Sequence, residues 1–184
     1  SPKQIQLVTM VHADYSNLKS GDFSKEETLQ HVLDSYKALE TDNWVANLSN
    51  CSSLLWHAYK SLNINVNWTG FYLTVENKNE GQTSPTELIL GPFQGKVACQ
   101  LIKFGHGVCG TAASKKLTQL VPDVEKFPGH IACDGETKSE IVVPIVKNGE
   151  TKGVIDLDCL DLEGFDKVDQ EYLEKLAELI AQSL

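Results

Sequence analysis

No arginine occurs anywhere in the 184 residues; all 16 basic side chains are lysines. Arginine is the usual planar fork for a carboxylate or a phosphate. An anionic ligand must here be met by lysine, by backbone N–H groups or by a helix N-terminus. The net charge of -9 also withholds the clustered cations that displace counterions from a phosphate backbone, so nucleic acid is not an expected partner. An ammonium-bearing ligand, by contrast, finds carboxylates in plenty. No uninterrupted apolar run approaches the roughly 18 residues of a membrane span, and the first residues lack the charged-then-apolar build of a secretory signal. A membrane partner is therefore not expected either. The compartment implied is reducing, cytoplasmic with the nucleus included, and there cysteines are more often catalytic, redox-active or metal-binding than structural bridges.

What is present fits one domain, since 41% hydrophobic residues in a chain of this length can bury a proper core without disulfides. Ser24 and Glu27 form a capping-box signature ahead of Leu29, Val32, Leu33, Tyr36 and Leu39, which predicts a helix over about 25–40. A second helix is expected from Trp44 to Leu62. The texture then changes to aromatic and β-branched residues from Asn67 to Val75, followed by a turn-rich stretch and a strand beginning at Glu87, which together read as a hairpin. Further strands are predicted over Lys96 to Phe104, Leu117 to Val121, Glu140 to Val146 and Gly153 to Leu160, with a short helix over Gly107 to Ser114. Asp166 caps a closing helix with Tyr172, Leu173, Leu176, Leu179 and Ile180 on one face. Helices, then mostly antiparallel strands, then one helix make an α+β pattern. The stretch from Phe104 to Ser139 shows little regularity, and such loops in compact domains are usually functional.

Three of the five cysteines, Cys99, Cys109 and Cys133, fall between Gly91 and Asp134. Their spacings of ten and twenty-four residues, with no CxxC pair, do not match the tight ligand pairs of a zinc site. Cys51 and Cys159 read as small buried hydrophobes. Cys109 follows Gly105-His106-Gly107 at a helix start, where the dipole would stabilise its thiolate, and Cys133 lies in a loop able to expose it. Redox work needs access, a lowered pKa and a second thiol within reach, and three loop or strand-end thiols supply the last of these. His106 and His130 either tune these thiols or sit as solvated loop residues.

The blocks GPFQGKVAC, GHGVCGTAA, VPDVEKFPGHIACD, SEIVVPI and GVIDLDC, with NWTGFY ahead of them, resemble the signature of the free methionine-(R)-sulfoxide reductases, a family of single GAF domains. The resemblance runs from about Ser24 to Ile180. It implies a GAF domain over 24–184 behind an N-terminal extension of residues 1–23. The expected architecture is a mostly antiparallel sheet with N-terminal helices and the C-terminal helix on one face, and an active site under loops on the other. It further implies Cys133 as the nucleophile that becomes a sulfenic acid, with Cys99 and Cys109 as the thiols that condense with it. Glu140, Asp156 and Asp158 would grip the substrate ammonium, one of them as a carboxylic acid donating a proton. Alternate strand residues share a face, so Asp156 and Asp158 project together. Trp68 and Tyr72 would wall the pocket, the indole facing the S-methyl group.

By the same resemblance the substrate is free methionine sulfoxide, the reductant is thioredoxin, and no metal or organic cofactor is implied. With no arginine, the substrate carboxylate is expected to meet backbone N–H groups between Val121 and Ala132. The sequence leaves a homodimer open. The competing class is a non-catalytic GAF sensor that binds a small ligand, with its cysteines as redox modulators. A sensor usually carries an output domain, for which 184 residues are expected to leave no room.

Overall fold

A computed structural model describes residues 23–75, 84–130 and 133–184. Helices α1 (Lys25–Leu39) and α2 (Trp44–Ser61) come first, and both are capped as their sequences require. Ser24 and Glu27 close a reciprocal capping box, and the Asn43 side chain accepts from the N–H groups of Val45 and Ala46. The strands β1 (Val66–Thr74), β2 (Glu87–Gly95), β3 (Leu101–Lys103), β4 (Gln119–Val121), β5 (Ser139–Lys147) and β6 (Glu150–Cys159) form one antiparallel sheet in the order β3-β2-β1-β6-β5-β4. Helix α3 (Gly107–Lys115) precedes β4, and α4 (Lys167–Ser183) closes the chain. The expected N-terminal extension falls outside the described residues except for Phe23.

The period of two in the strands sorts the core into two layers. Phe71, Ile141, Val143, Ile145, Ile155 and Leu157 pack against α1, α2 and α4. On the opposite face Tyr72, Leu88, Ile102, Val142 and Val154 pack against α3 and the loops around it. Asp169, fully buried in the first turn of α4, ties the helical layer together. It accepts from the Tyr59 hydroxyl at 2.6 Å, from Lys25 Nζ at 2.9 Å and from the Asp166 N–H at 2.7 Å.

Two predicted strands are shorter in the structure, each for a local reason. The expected strand from Lys96 shrinks to Leu101–Lys103 because side chains hold residues 96–99: Trp68 Nε1 donates to the Lys96 carbonyl at 3.1 Å and the Tyr72 hydroxyl to the Cys99 carbonyl at 3.0 Å, and backbone bonding to β2 resumes only at the Gln100 carbonyl. The strand predicted from Leu117 begins only at Gln119, because Lys116 adopts a left-handed φ of 57° to end α3. The β5–β6 connection is the turn that its Asn-Gly pair predicts, with φ of 54° at Asn148 and 76° at Gly149.

Candidate active site

Sheet register brings the acidic residues together. Asp158 on β6 lies opposite Trp68 on β1 and opposite Glu140 on β5, and the next row on the same face is Gly70, Asp156 and Val142. Directly opposed residues stand about 5 Å apart, so two carboxylates of β6 and one of β5 form one patch between the aromatic residues of β1 and the start of β5. Glu140 and Asp156 are buried. Among the described residues, no lysine reaches ion-pair distance of any of the three. Trp68, which stacks on Phe93 at 5.2 Å and on Tyr72 at 5.8 Å, makes the adjoining wall. Gly70 is required for that wall: a Cβ there would meet the Phe93 side chain and come within 2.8 Å of the Trp68 ring.

Two loops close over this face. One carries Cys99, held by the hydrogen bonds from Trp68 and Tyr72. The other carries Asp134 and Thr137, each accepting from Asn67 Nδ2, at 3.2 and 3.1 Å. A disulfide between Cys99 and Cys133, with Cα atoms 5.7 Å apart, joins the two loops. Cys133 is exposed and Cys99 half-buried. Beneath them lies a cavity walled by Trp68, Tyr72, Cys109, Glu140, Asp156 and Asp158, with His106, His130 and the first turn of α3 on its rim. Of the residues singled out in the sequence for the site, all but Cys99 line this cavity, and Cys99 is bonded to Cys133 on its wall.

Cys109 departs from its expected behaviour. It does sit in the first turn of α3, but it is buried, and burial together with the charges of Asp156, Glu140 and Asp158 pushes its thiol well above the ordinary range. Desolvation and three neighbouring acids outweigh a helix dipole worth a fraction of a charge. Cys109 is a protonated thiol donating to Asp156, and it is not in the disulfide. Cys51 and Cys159 are fully buried core residues, as expected. Burial lowers the His130 pKa, with nearby Asp156 opposing the shift.

The carboxylates are ordered by their environment. Burial, reinforced by the charges of Asp156 and Asp158, raises Glu140 well above the ordinary carboxylate range. Burial and the Asp156 charge do the same to Asp158. Asp156 is also raised by burial, but hydrogen bonds from Glu140, Cys109 and Asp158 hold it lower. Asp156 is therefore the least raised of the three and the member best able to carry charge, while Glu140 and Asp158 both favour the protonated form. A raised acid gives stability that is full below its unfolded value, 4.5 for Glu140, and is lost as pH rises through the higher folded value. The melting temperature of the ligand-free protein should fall as pH climbs above about 4.5. Glu140→Gln should flatten that decline; an unchanged pH profile in this variant would remove Glu140 as its source.

Several N–H groups in the stretch from Val121 to Ala132, expected to meet the substrate carboxylate, are committed elsewhere. The N–H groups of Val124, Glu125, Lys126, Phe127 and His130 already donate within the chain, and residues 131–132 lie outside those described. The first turn of α3 is better placed, since His106 gives it no side-chain cap and His106, Gly107 and Val108 line the cavity. Phe93, Asn67 and Thr137 were not legible as site residues; only the GPFQG and NWTGFY blocks, as blocks, marked their surroundings.

The GAF domain model matches residues 52–184, so fold and cavity together define a cysteine-bearing GAF domain. A free methionine-R-sulfoxide reductase of Saccharomyces cerevisiae is 64% identical over 94% of this chain and 93% of its own. The protein of that name from Escherichia coli is 42% identical over 73% of each chain. The X-ray structure of the Neisseria meningitidis free methionine-R-sulfoxide reductase in complex with its substrate superposes with a TM-score of 0.78, at 38% identity over 90% of this chain and 93% of that one. The chain belongs to the free methionine-R-sulfoxide reductase family. No helix among the described residues is long and apolar enough to cross a membrane.

Proposed function

We propose that the protein reduces free L-methionine (R)-S-oxide to methionine, with Cys133 as the attacking thiol and Cys99 as its first resolving partner. The observation that carries this reading is the disulfide between those two cysteines, set over a cavity whose floor is a buried acidic cluster. The Cys133 sulfur attacks the sulfoxide sulfur while the departing oxygen takes up a proton. The hydroxyl then moves to the Cys133 sulfur as the new bond between the two sulfurs breaks, leaving a sulfenic acid and free methionine, so that the substrate sulfur is reduced and the cysteine sulfur oxidised. The Cys99 thiol then attacks the sulfenic sulfur, forming the disulfide and releasing water. Thioredoxin reopens the disulfide by exchange.

Each wall has a part in this reaction. Asp156, the member best able to carry charge, pairs with the substrate ammonium, and Glu140 holds the proton that the sulfoxide oxygen receives. The substrate carboxylate meets the uncapped N-terminus of α3, which replaces the arginine this chain lacks. The Trp68 face receives the S-methyl group.

The direct test is the oxidation of NADPH by thioredoxin reductase, thioredoxin and this protein with free methionine-(R)-sulfoxide as the only oxidant. Turnover is expected, with little on the (S) epimer. N-acetylmethionine sulfoxide lacks the ammonium, and losing a charge-assisted contact in a desolvated site should lower kcat/KM about ten- to a hundredfold. Equal turnover of the acetylated compound would remove the ammonium-gripping role from the acidic cluster.

A further inference from the structure

We propose that Cys109, Glu140 and Asp156 also form a site for a zinc-class divalent cation. The Sγ atom of Cys109 and one carboxylate oxygen from each acid lie within 4.8 Å of one another, and all three residues are buried. Ligand atoms around a tetrahedral zinc ion stand roughly 3.5 Å apart, so an ion needs to draw them in by about 1 Å, within reach of side-chain rotation. The sequence spacing concealed this site because it uses only one of the clustered cysteines. Its other ligands come from neighbouring strands, β5 and β6.

A second observation points to a cationic occupant. Asp156 is 5% exposed and lines the cavity, and although Glu140, Cys109 and Asp158 donate to its carboxylate, the Oδ1 atom is left buried with no hydrogen-bond partner. Buried carboxylate oxygens are normally satisfied, because leaving one bare forfeits its hydration without return. The chain has no arginine, and among the described residues no lysine comes within ion-pair distance of the cluster; Lys96, which lines the same cavity, pairs with Glu136 instead. One sulfur and two oxygens select a borderline-soft ion of the zinc class over magnesium or calcium, which take oxygen ligands throughout. Water or His130, which lines the same cavity, completes the coordination.

Cys109 stands outside the Cys99–Cys133 disulfide, so the cation site persists in the oxidised protein. It also coincides with the seat assigned above to the substrate ammonium, and this consequence alone rests on the proposed function. There the ion and methionine sulfoxide exclude each other, and free zinc acts as a competitive brake.

The test uses the intact protein with the disulfide formed, which removes Cys99 and Cys133 as ligands. Cobalt(II) titration should raise a near-ultraviolet thiolate-to-cobalt charge-transfer band that saturates at one ion per chain and is bleached by zinc. Cys109→Ser should lose the band, while Cys51→Ser and Cys159→Ser keep it. Glu140→Gln and Asp156→Asn should weaken cobalt binding roughly tenfold or more, and they test the site even where Cys109→Ser fails to fold. No band in the parent protein, an intact band in Cys109→Ser, or full affinity in both carboxylate variants would overturn the proposal. Methionine sulfoxide added to the cobalt-loaded oxidised protein should displace the ion. A band that resists displacement leaves the cation site standing and counts instead against the cavity as the substrate's seat.

Discussion

Cys133→Ser should release no methionine in a single turnover without thioredoxin, a loss of roughly a thousandfold or more, because no other group takes over an attack on sulfur. Cys99→Ser and Cys109→Ser should each still release close to one equivalent, since resolution follows product formation. The helix-start argument alone would make Cys109 an equal rival. The structure separates them physically. Cys109 is buried among acids that hold it as a thiol, whereas Cys133 is exposed on a loop and reaches Cys99. The thiolate is the nucleophile, so the thiol under the heaviest acidic load is the poorest candidate. Under thioredoxin-coupled turnover Cys99→Ser should fail most severely, having lost the partner seen in the disulfide, and mass spectrometry of the arrested protein should find an oxidised Cys133. A stoichiometric burst kept by Cys133→Ser and lost by Cys109→Ser would reverse the assignment.

That distinction marks where the sequence stops being informative. The capping box at Ser24 and the cap at Asp166 are local patterns, and they produced the helices expected of them. The pair Asp156 and Asp158 was legible as sharing a face for the same reason. Glu140 joins them only through the pairing of β5 with β6, which no local period reveals. The β1 register is less legible still. An irregularity between Val66 and Trp68 turns Val66 toward the helices while Trp68 faces the cavity, although two residues apart in a regular strand would share a side. The state of Cys109 was missed on the same ground. Its helix position is local and visible, but the acids that overrule the dipole come from strands more than thirty residues away.

Asp156→Asn and Glu140→Gln should damage catalysis in different ways. Asp156 collects hydrogen bonds from Glu140, Cys109 and Asp158 and so remains the charge that a substrate ammonium can meet. Replacing it by the amide keeps the shape and removes the charge. KM should rise about ten- to a hundredfold, as expected for a charge-assisted contact in a desolvated site, and N-acetylation of the substrate should then cost little more. Glu140, raised by burial and by both neighbouring acids, keeps its proton where an ordinary carboxylate would have lost it. Glutamine at this position keeps a donor but has no acidic proton to give, so kcat should fall roughly a hundred- to ten-thousandfold with KM little changed. Near neutrality the ligand-free Glu140→Gln protein should be at least as stable as the parent, because the substitution relieves an acid that burial and like charge disfavour ionising. Lower activity with equal or higher melting temperature is the signature of a group kept in an unfavourable state for its chemistry. If Glu140→Gln instead retains kcat, the proton comes from elsewhere in the cluster, and Asp158, the other strongly raised acid, becomes the donor to test.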